Sequence, residues 1–346
     1  MKNKIFLLLV SVLFVSCMGC SKSDGSEGGN LHGLSGTLFI EFAGDVSVYN
    51  LSANKFTENV TQVSSSALLE TYDVSWDASK VLFTLDVSGF NHKRIVYRDI
   101  KASVAPLDVK NDGNNIYDFE YEWGDVRSLR AFISPNEKYI ALQGQGYSDM
   151  PLIIIESNKD KEIARCEPNN VRYHDWGKPF WTLDNVLYVQ IADVMYRMAP
   201  TNNYQPEAIF KTGDAGVFRI NPQGTKFVFR KDKHLWLCNV DGSNPVQITT
   251  SKTYDWADWD GEGLPVFSPD GKYIAFTARG SRGMAWSDHD YPDGSWVGAV
   301  GGKFGYLAVI PADGKLYNLD DKNSDVISLT KNGSRGIPCN GHLVWR

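Results

Sequence analysis

Val266 to Phe276 reads VFSPDGKYIAF: a short apolar run, a four-residue turn, then a second apolar run carrying aromatic and β-branched residues. Pro269, Asp270 and Gly271 pre-set the dihedrals of a tight reversal, and the flanking residues suit a pleated, half-buried surface. The phrase therefore spells a β-hairpin. It recurs with drift. FISPNEKYIAL spans Phe132 to Leu142, FRINPQGTKFVF spans Phe218 to Phe229, and FWTLDNVLYV spans Phe180 to Val189. VSWDASKVLFT spans Val74 to Thr84, and HGLSGTLFIEF spans His32 to Phe42. At the turn-proline position stand Leu34, Ala78, Pro135, Leu183, Pro222 and Pro269, with spacings of 44, 57, 48, 39 and 47. These lie near the period of about 40 to 50 residues expected of a four-stranded blade.

A third apolar segment follows most hairpins, as in RIVYRDI from Arg94, LIIIES from Leu152, HLWLCNV from His234 and YLAVIP from Tyr306. A fourth follows in several units, as in VQITT from Val246 and VISLT from Val326. Units of four antiparallel strands, repeated six times, predict an all-β, six-bladed β-propeller over residues 34–346. The two ends of the chain complement each other. The first unit begins at its second strand, Thr37 to Phe42, and the last residues, His342 to Arg346, read as an innermost strand with nothing after it. The expectation is that the C-terminal strand completes the first blade, closing the ring and removing exposed sheet edges.

The phrase SPDGKYIAF, followed by a strand and a VDG turn such as Val240 to Gly242, resembles the repeats of the TolB-like and related WD-repeat-like β-propellers. The resemblance covers residues 34–346 and implies a fold; it implies little about function, because such repeats serve scaffolds, enzymes and regulatory domains alike. TolB carries an α/β domain ahead of its propeller, whereas here a short tether precedes the first strand. The likeness is one of architecture.

Residues 1–16 differ in character from the rest. Lys2 and Lys4 form a positive patch, Ile5 to Val15 an apolar run, and Ser16 a small residue before Cys17. This is the pattern of an export signal, and its apolar stretch is too short to span about 30 Å of hydrocarbon. A small residue directly before a cysteine at the end of such a stretch resembles the processing box of bacterial lipoproteins, which implies lipidation at Cys17, with Cys20 as the alternative. Residues 17–33 are rich in Ser and Gly and read as a flexible tether from lipid to domain. The expected location is the bacterial cell envelope: lipid-anchored, on the outer membrane, facing the periplasm or the cell surface. Losing Lys2 and Lys4 takes the net charge from -6 to -8, and a mildly acidic protein lacks the basic stripe that nucleic acid requires. The other cysteines, Cys166, Cys238 and Cys339, are odd in number and lack metal-ligand spacing.

Strand alternation sorts the loops. Hairpin turns such as Ser268 to Gly271 fall at one end of the ring, and the loops joining second to third strands and blade to blade fall at the other. The second end receives the long segments Lys110 to Leu129, Cys166 to Lys178, Ser251 to Gly263, Ser281 to Phe304 and Lys331 to Gly341. Long loops on a rigid scaffold are where binding usually sits. Of the ten tryptophans, Trp76, Trp181, Trp236 and Trp345 fall on expected strands and read as core, while Trp123, Trp176, Trp256, Trp259, Trp286 and Trp296 fall in the long segments. Aromatic faces beside carboxylates such as Asp258 and Asp290 suit a sugar, a peptide or a cationic group.

The stretch MAWSDHDYPDGSW, Met284 to Trp296, gathers Asp288, His289, Asp290 and Asp293 and is the best local candidate for a divalent cation or for acid/base chemistry, with further clusters at Asp255, Asp258, Asp260 and Glu262 and at Tyr173, His174, Asp175 and Trp176. It departs from a calcium loop in its spacing and lacks the closing bidentate Glu. No other cofactor is expected. A nucleophile turn of the Gly-x-Ser-x-Gly kind, a phosphate loop and a dinucleotide fingerprint are all absent from the sequence. Two readings follow. The leading one is a binding module whose long-loop face holds a protein or glycan partner. The other is a glycan-acting enzyme, a lyase or hydrolase, with His174, His289 or His92 as general base on the same face.

Overall fold

The computed structural model describes residues 33–42, 45–57, 68–86, 92–100, 115–122, 126–146, 152–157, 161–167, 177–252, 261–278, 305–321, 324–331, 335–339 and 341–346. Its strands form six blades. In blade 1 the order from the axis outward is Leu343–Trp345, Thr37–Phe42, Asp45–Asn50 and Lys55–Thr57. Blade 2 comprises Leu68–Val74, Lys80–Asp86, His92–Asp99 and Asn115–Glu122, and blade 3 Val126–Ile133, Tyr139–Gly146, Leu152–Glu156 and Lys161–Cys166. Blade 4 comprises Phe180–Trp181, Leu187–Ile191, Val194–Met198 and Pro206–Lys211, and blade 5 Gly216–Ile220, Lys226–Lys231, His234–Asn239 and Val246–Gln247. Blade 6 comprises Gly263–Phe267, Tyr273–Ala278, Gly305–Pro311 and Ile327–Ser328, with Pro338–Cys339 also pairing onto its third strand.

The hairpins that spelled the repeat share one device. Ser75, Ser134 and Ser268 each donate a hydroxyl proton to the side chain two residues on, at 2.6, 2.8 and 2.6 Å, and accept the N–H five residues on, at 2.9, 3.0 and 2.9 Å. Asn221 serves blade 5 through its amide oxygen. The turn then needs a left-handed residue, at Ala78, Glu137, Asn185, Gly224 and Gly271 in successive blades. That requirement explains why the clearest copy of the phrase carries Asp-Gly there.

Packing follows from the ring. Six clusters of buried apolar side chains each bridge two neighbouring blades, so the core is a set of wedges around an axis. The wedge between blades 6 and 1 contains Leu38, Ile40, Leu307, Val309, Leu343 and Trp345, which means that the last strand of the chain is packed as fully as any other. Leu343–Trp345 pairs antiparallel with Leu38–Ile40, and the Trp345 indole donates to Ser35 O at 2.9 Å. Gly36 makes this closure possible: at φ +89°, a Cβ there would stand 2.5 Å from Arg346 O.

Two expectations are corrected. Lys110 to Leu129 is not a single long loop, because Asn115–Glu122 is the outer strand of blade 2 and Val126 begins blade 3; the alternating apolar residues of NIYDFEYE carry that strand. Trp76 does not lie on a strand but in the blade 2 turn, half-buried beneath the Arg346 guanidinium at 4.4 Å. No helix among the described residues is long and apolar enough to cross a membrane.

Candidate functional site: the axial channel

The inner strands can be aligned on the residue that opens each hairpin: Ser75, Ser134, Thr182, Asn221 and Ser268. Arg346 holds the same place in the C-terminal strand, exchanging backbone bonds of 2.9 and 2.6 Å with Thr37. Two residues before these positions stand Asp73, Phe132, Phe180, Arg219, Val266 and Val344. All six line a cavity of about 50 Å³ on the axis near the turn end. Four residues before stand Thr71, Arg130, Lys178, Val217, Leu264 and His342. Arg130, Lys178, Val217 and Leu264 line a wider cavity of about 650 Å³, joined by Gly177, Gln190, Ala192, Asp193, Gly213 and Gly216. Arg219 borders both cavities.

The two layers differ in charge. Near the turn end Asp73 is buried and saturated. It accepts the Val74 N–H at 2.8 Å, the Ile133 N–H at 2.9 Å and the Arg346 guanidinium at 3.2 Å. Burial raises its pKa, and Arg346 works against that rise. Arg346 in turn donates to Val74 O at 2.9 Å. One layer up, His342 is wedged edge-on between Tyr72 and Phe132, its ring 5.3 and 5.9 Å from theirs. Burial, and then the nearby Lys178, Arg219, Arg346 and Arg130, hold its pKa well below the usual histidine range. The ring is thus neutral, and its Nδ1 accepts from Lys178 Nζ at 3.3 Å.

Lys178 itself is pulled down to about 7, first by burial and then by Arg130 and Arg219. Arg219, 6% exposed, lies 3.8 Å over the Phe180 ring and donates from Nη1 to Phe218 O at 2.8 Å; burial and Arg130 lower it to about 9. Local backbone irregularity shapes this wall. The pairing register shifts between Gly216 and Arg219 and again between Gly263 and Val266. Val217 and Leu264, at the same place in adjacent blades, take φ of 56° and 47°. A β-branched residue there is uncommon, and bulges of this kind re-aim neighbouring side chains beside sites.

A second polar cluster sits where blades 5 and 6 meet. Glu262, 1% exposed, accepts from Thr249 Oγ1 at 2.8 Å and Ser251 Oγ at 2.6 Å, and meets His234 Nδ1 at 2.8 Å. Each of its oxygens is occupied, so it acts as a clamp between blades.

Of the residues singled out in the sequence, Trp176, Trp256, Trp259, Trp286, Trp296, Asp258, Asp290, Asp288, Asp293, His174, His289, Cys17 and Cys20 lie outside the described residues. His92 begins the third strand of blade 2. The strands do fix where the long segments leave and re-enter the ring: at Glu167 and Gly177, Lys252 and Gly261, and Ala278 and Gly305, all at the end occupied by the wider cavity. Among the described residues, no group of three or more His, Cys, Asp or Glu side chains is placed to hold a metal ion. Arg130, Lys178 and Arg219 escaped the sequence reading because they are scattered over three blades. Reading each repeat two and four residues upstream of its hairpin would have found them.

No protein-family model matches this chain, and no curated protein matches it in sequence. Solved structures do resemble it in fold. TolB from Acinetobacter baumannii superposes with a TM-score of 0.54 at 11% identity, over 92% of this chain and 67% of that one. A functionally unknown protein from Desulfotomaculum acetoxidans gives 0.48 at 12% identity, over 90% of this chain and 99% of that one. An oligogalacturonate lyase from Vibrio parahaemolyticus gives 0.47 at 14% identity, over 69% and 70%. At these identities the likeness is one of fold.

Proposed function

We propose that this chain is an exported, lipid-anchored propeller that acts as a binding module, holding a protein or glycan partner at the loop-bearing end of the ring. The observation that carries this reading is the cavity of about 650 Å³ on the axis at that end. Its volume is of the size that ligand sites use, with a few convergent polar groups on an otherwise rigid wall. The segment that bears Trp176 re-enters the ring at Gly177, which lines the cavity, and the segments that bear Trp256, Trp259, Trp286 and Trp296 leave the ring at the same end, which supports their taking part in binding. Lipidation at Cys17, or Cys20, would tether the ring to the membrane through residues 17–33.

Envelope pulldown and glycan-array binding test the reading, with the wild-type lipoprotein beside Trp259→Ala and Trp286→Ala. The expected result is a ligand whose capture drops at least about tenfold in either variant, as loss of a buried aromatic anchor produces. Finding no ligand sensitive to either substitution would overturn it. Metabolic lipid labelling that survives in Cys17→Ser and vanishes in Cys20→Ser would move the anchor to the second cysteine.

A further inference from the structure

We propose that the wide axial cavity is an oxyanion site, in which Arg219 and Lys178 bind a carboxylate or phosphate group of the ligand. The inference rests on the binding reading above and adds the ligand's charge to it.

Arg219 is the first observation. Its guanidinium carries five N–H donors, yet its one hydrogen bond among the described residues runs from Nη1 to Phe218 O. The side chain is almost fully buried, stacked on Phe180, and borders the cavity. A buried cation without a carboxylate partner is costly, and folded proteins normally pair it or remove it.

Lys178 is the second, and it comes from a different blade. Its one hydrogen bond among the described residues is to His342, whose neutral ring offers a lone pair and no compensating charge. Arg219 and Lys178 are near enough that each contributes to the charge felt at His342, and Arg219 depresses Lys178 directly. Asp73 is committed to Arg346 and two backbone N–H groups, and Glu41, which accepts the His342 N–H at 2.8 Å, offsets part of the repulsion at Lys178. The cavity lining itself sets three cations, Arg130, Lys178 and Arg219, against one carboxylate, Asp193. Positive charge therefore gathers in a cavity with room for a guest. A planar guanidinium braced from behind by an aromatic ring, with an ammonium beside it, is the donor set that oxyanions recruit.

The wall leaves space for that guest. A Cβ added at Gly216 meets nothing within 4 Å, so Gly216→Trp fills the cavity without backbone strain. This variant separates loss of the site from loss of the fold.

Titration calorimetry and thermal shift on the full lipoprotein provide the test, with inorganic phosphate, glucuronate and, as neutral control, glucose. The expected result at about pH 6, where Lys178 is protonated, is saturable binding of phosphate, glucuronate or both, and none of glucose. Affinity should fall at least about tenfold in Arg219→Gln, Lys178→Gln and Gly216→Trp. It should also weaken as pH rises above 7. Binding of phosphate alone, or of glucuronate alone, identifies the source of the oxyanion. Absence of saturable binding of either anion, or binding indifferent to all three substitutions, overturns the inference. A partner captured through Trp259 and Trp286 with no anion effect would leave the binding reading standing while removing this one. Anion binding with no Trp-sensitive partner would do the reverse.

Discussion

The two ends of the axial channel are built from the same inner strands, one layer apart, yet they treat charge in opposite ways. At the turn end, Asp73 and Arg346 neutralise each other and leave about 50 Å³ of space. At the loop end, Lys178 and Arg219 accumulate positive charge around about 650 Å³. A buried charge that is paired and saturated belongs to the architecture. One that is left facing a cavity is strain the fold sustains elsewhere, and such strain gathers at functional sites. The contrast separates residues that hold the ring from residues that await a ligand.

The largest expected effect lies at the ring's seam. Deleting residues 342–346 should abolish cooperative thermal unfolding, and Trp345→Ala, which truncates a side chain 1% exposed, should cost about 3–5 kcal/mol in denaturant titration. Next is the turn-end pair: Asp73→Ala strands both Arg346 and the Ile133 N–H, and should cost about 3 kcal/mol. The third test is acid. Because the folded pKa of His342 is depressed, the unfolded chain takes up a proton that the folded chain refuses as pH falls below about 6.5. Stability should therefore drop by about 1.4 kcal/mol per pH unit, and His342→Gln should flatten that slope by one proton.

The smallest mutational effect is the one that stabilises, and the pH dependence behind it has the same sign as that of His342. Between pH 7 and 10.5 the unfolded chain holds a proton that Lys178 has shed in the fold, so stability should climb across that window. Lys178→Met should remove the climb and stabilise the neutral protein by about 1 kcal/mol. A destabilising Lys178→Met would erase the distinction between the two ends.

The fold was legible because its signals are local and repeated. Ser-Pro-Asp-Gly names a turn without reference to the rest of the chain, and six copies name a ring. The closing strand was legible for a related reason, since HLVWR lacks a partner nearby and TLFIEF lacks an inner neighbour. The channel was not legible. Arg130, Lys178 and Arg219 each read as an ordinary cation within its own hairpin, and their convergence depends on register, which the bulges at Val217 and Leu264 alter without any sequence signature. Asn115–Glu122 was hidden for another reason: its acidic residues alternate with aromatics, so an outer strand looked like a loop.

The pairing of Leu38–Ile40 with Leu343–Trp345 joins segments about as far apart as this chain permits, with Glu41 bonding to His342 across 301 positions. Contacts of such high sequence separation are slow to form because the loop they close is long. Five blades can assemble from neighbouring strands during synthesis, but the wheel stays unlatched until its final residues arrive. The last few residues thereby act as the clasp of the ring.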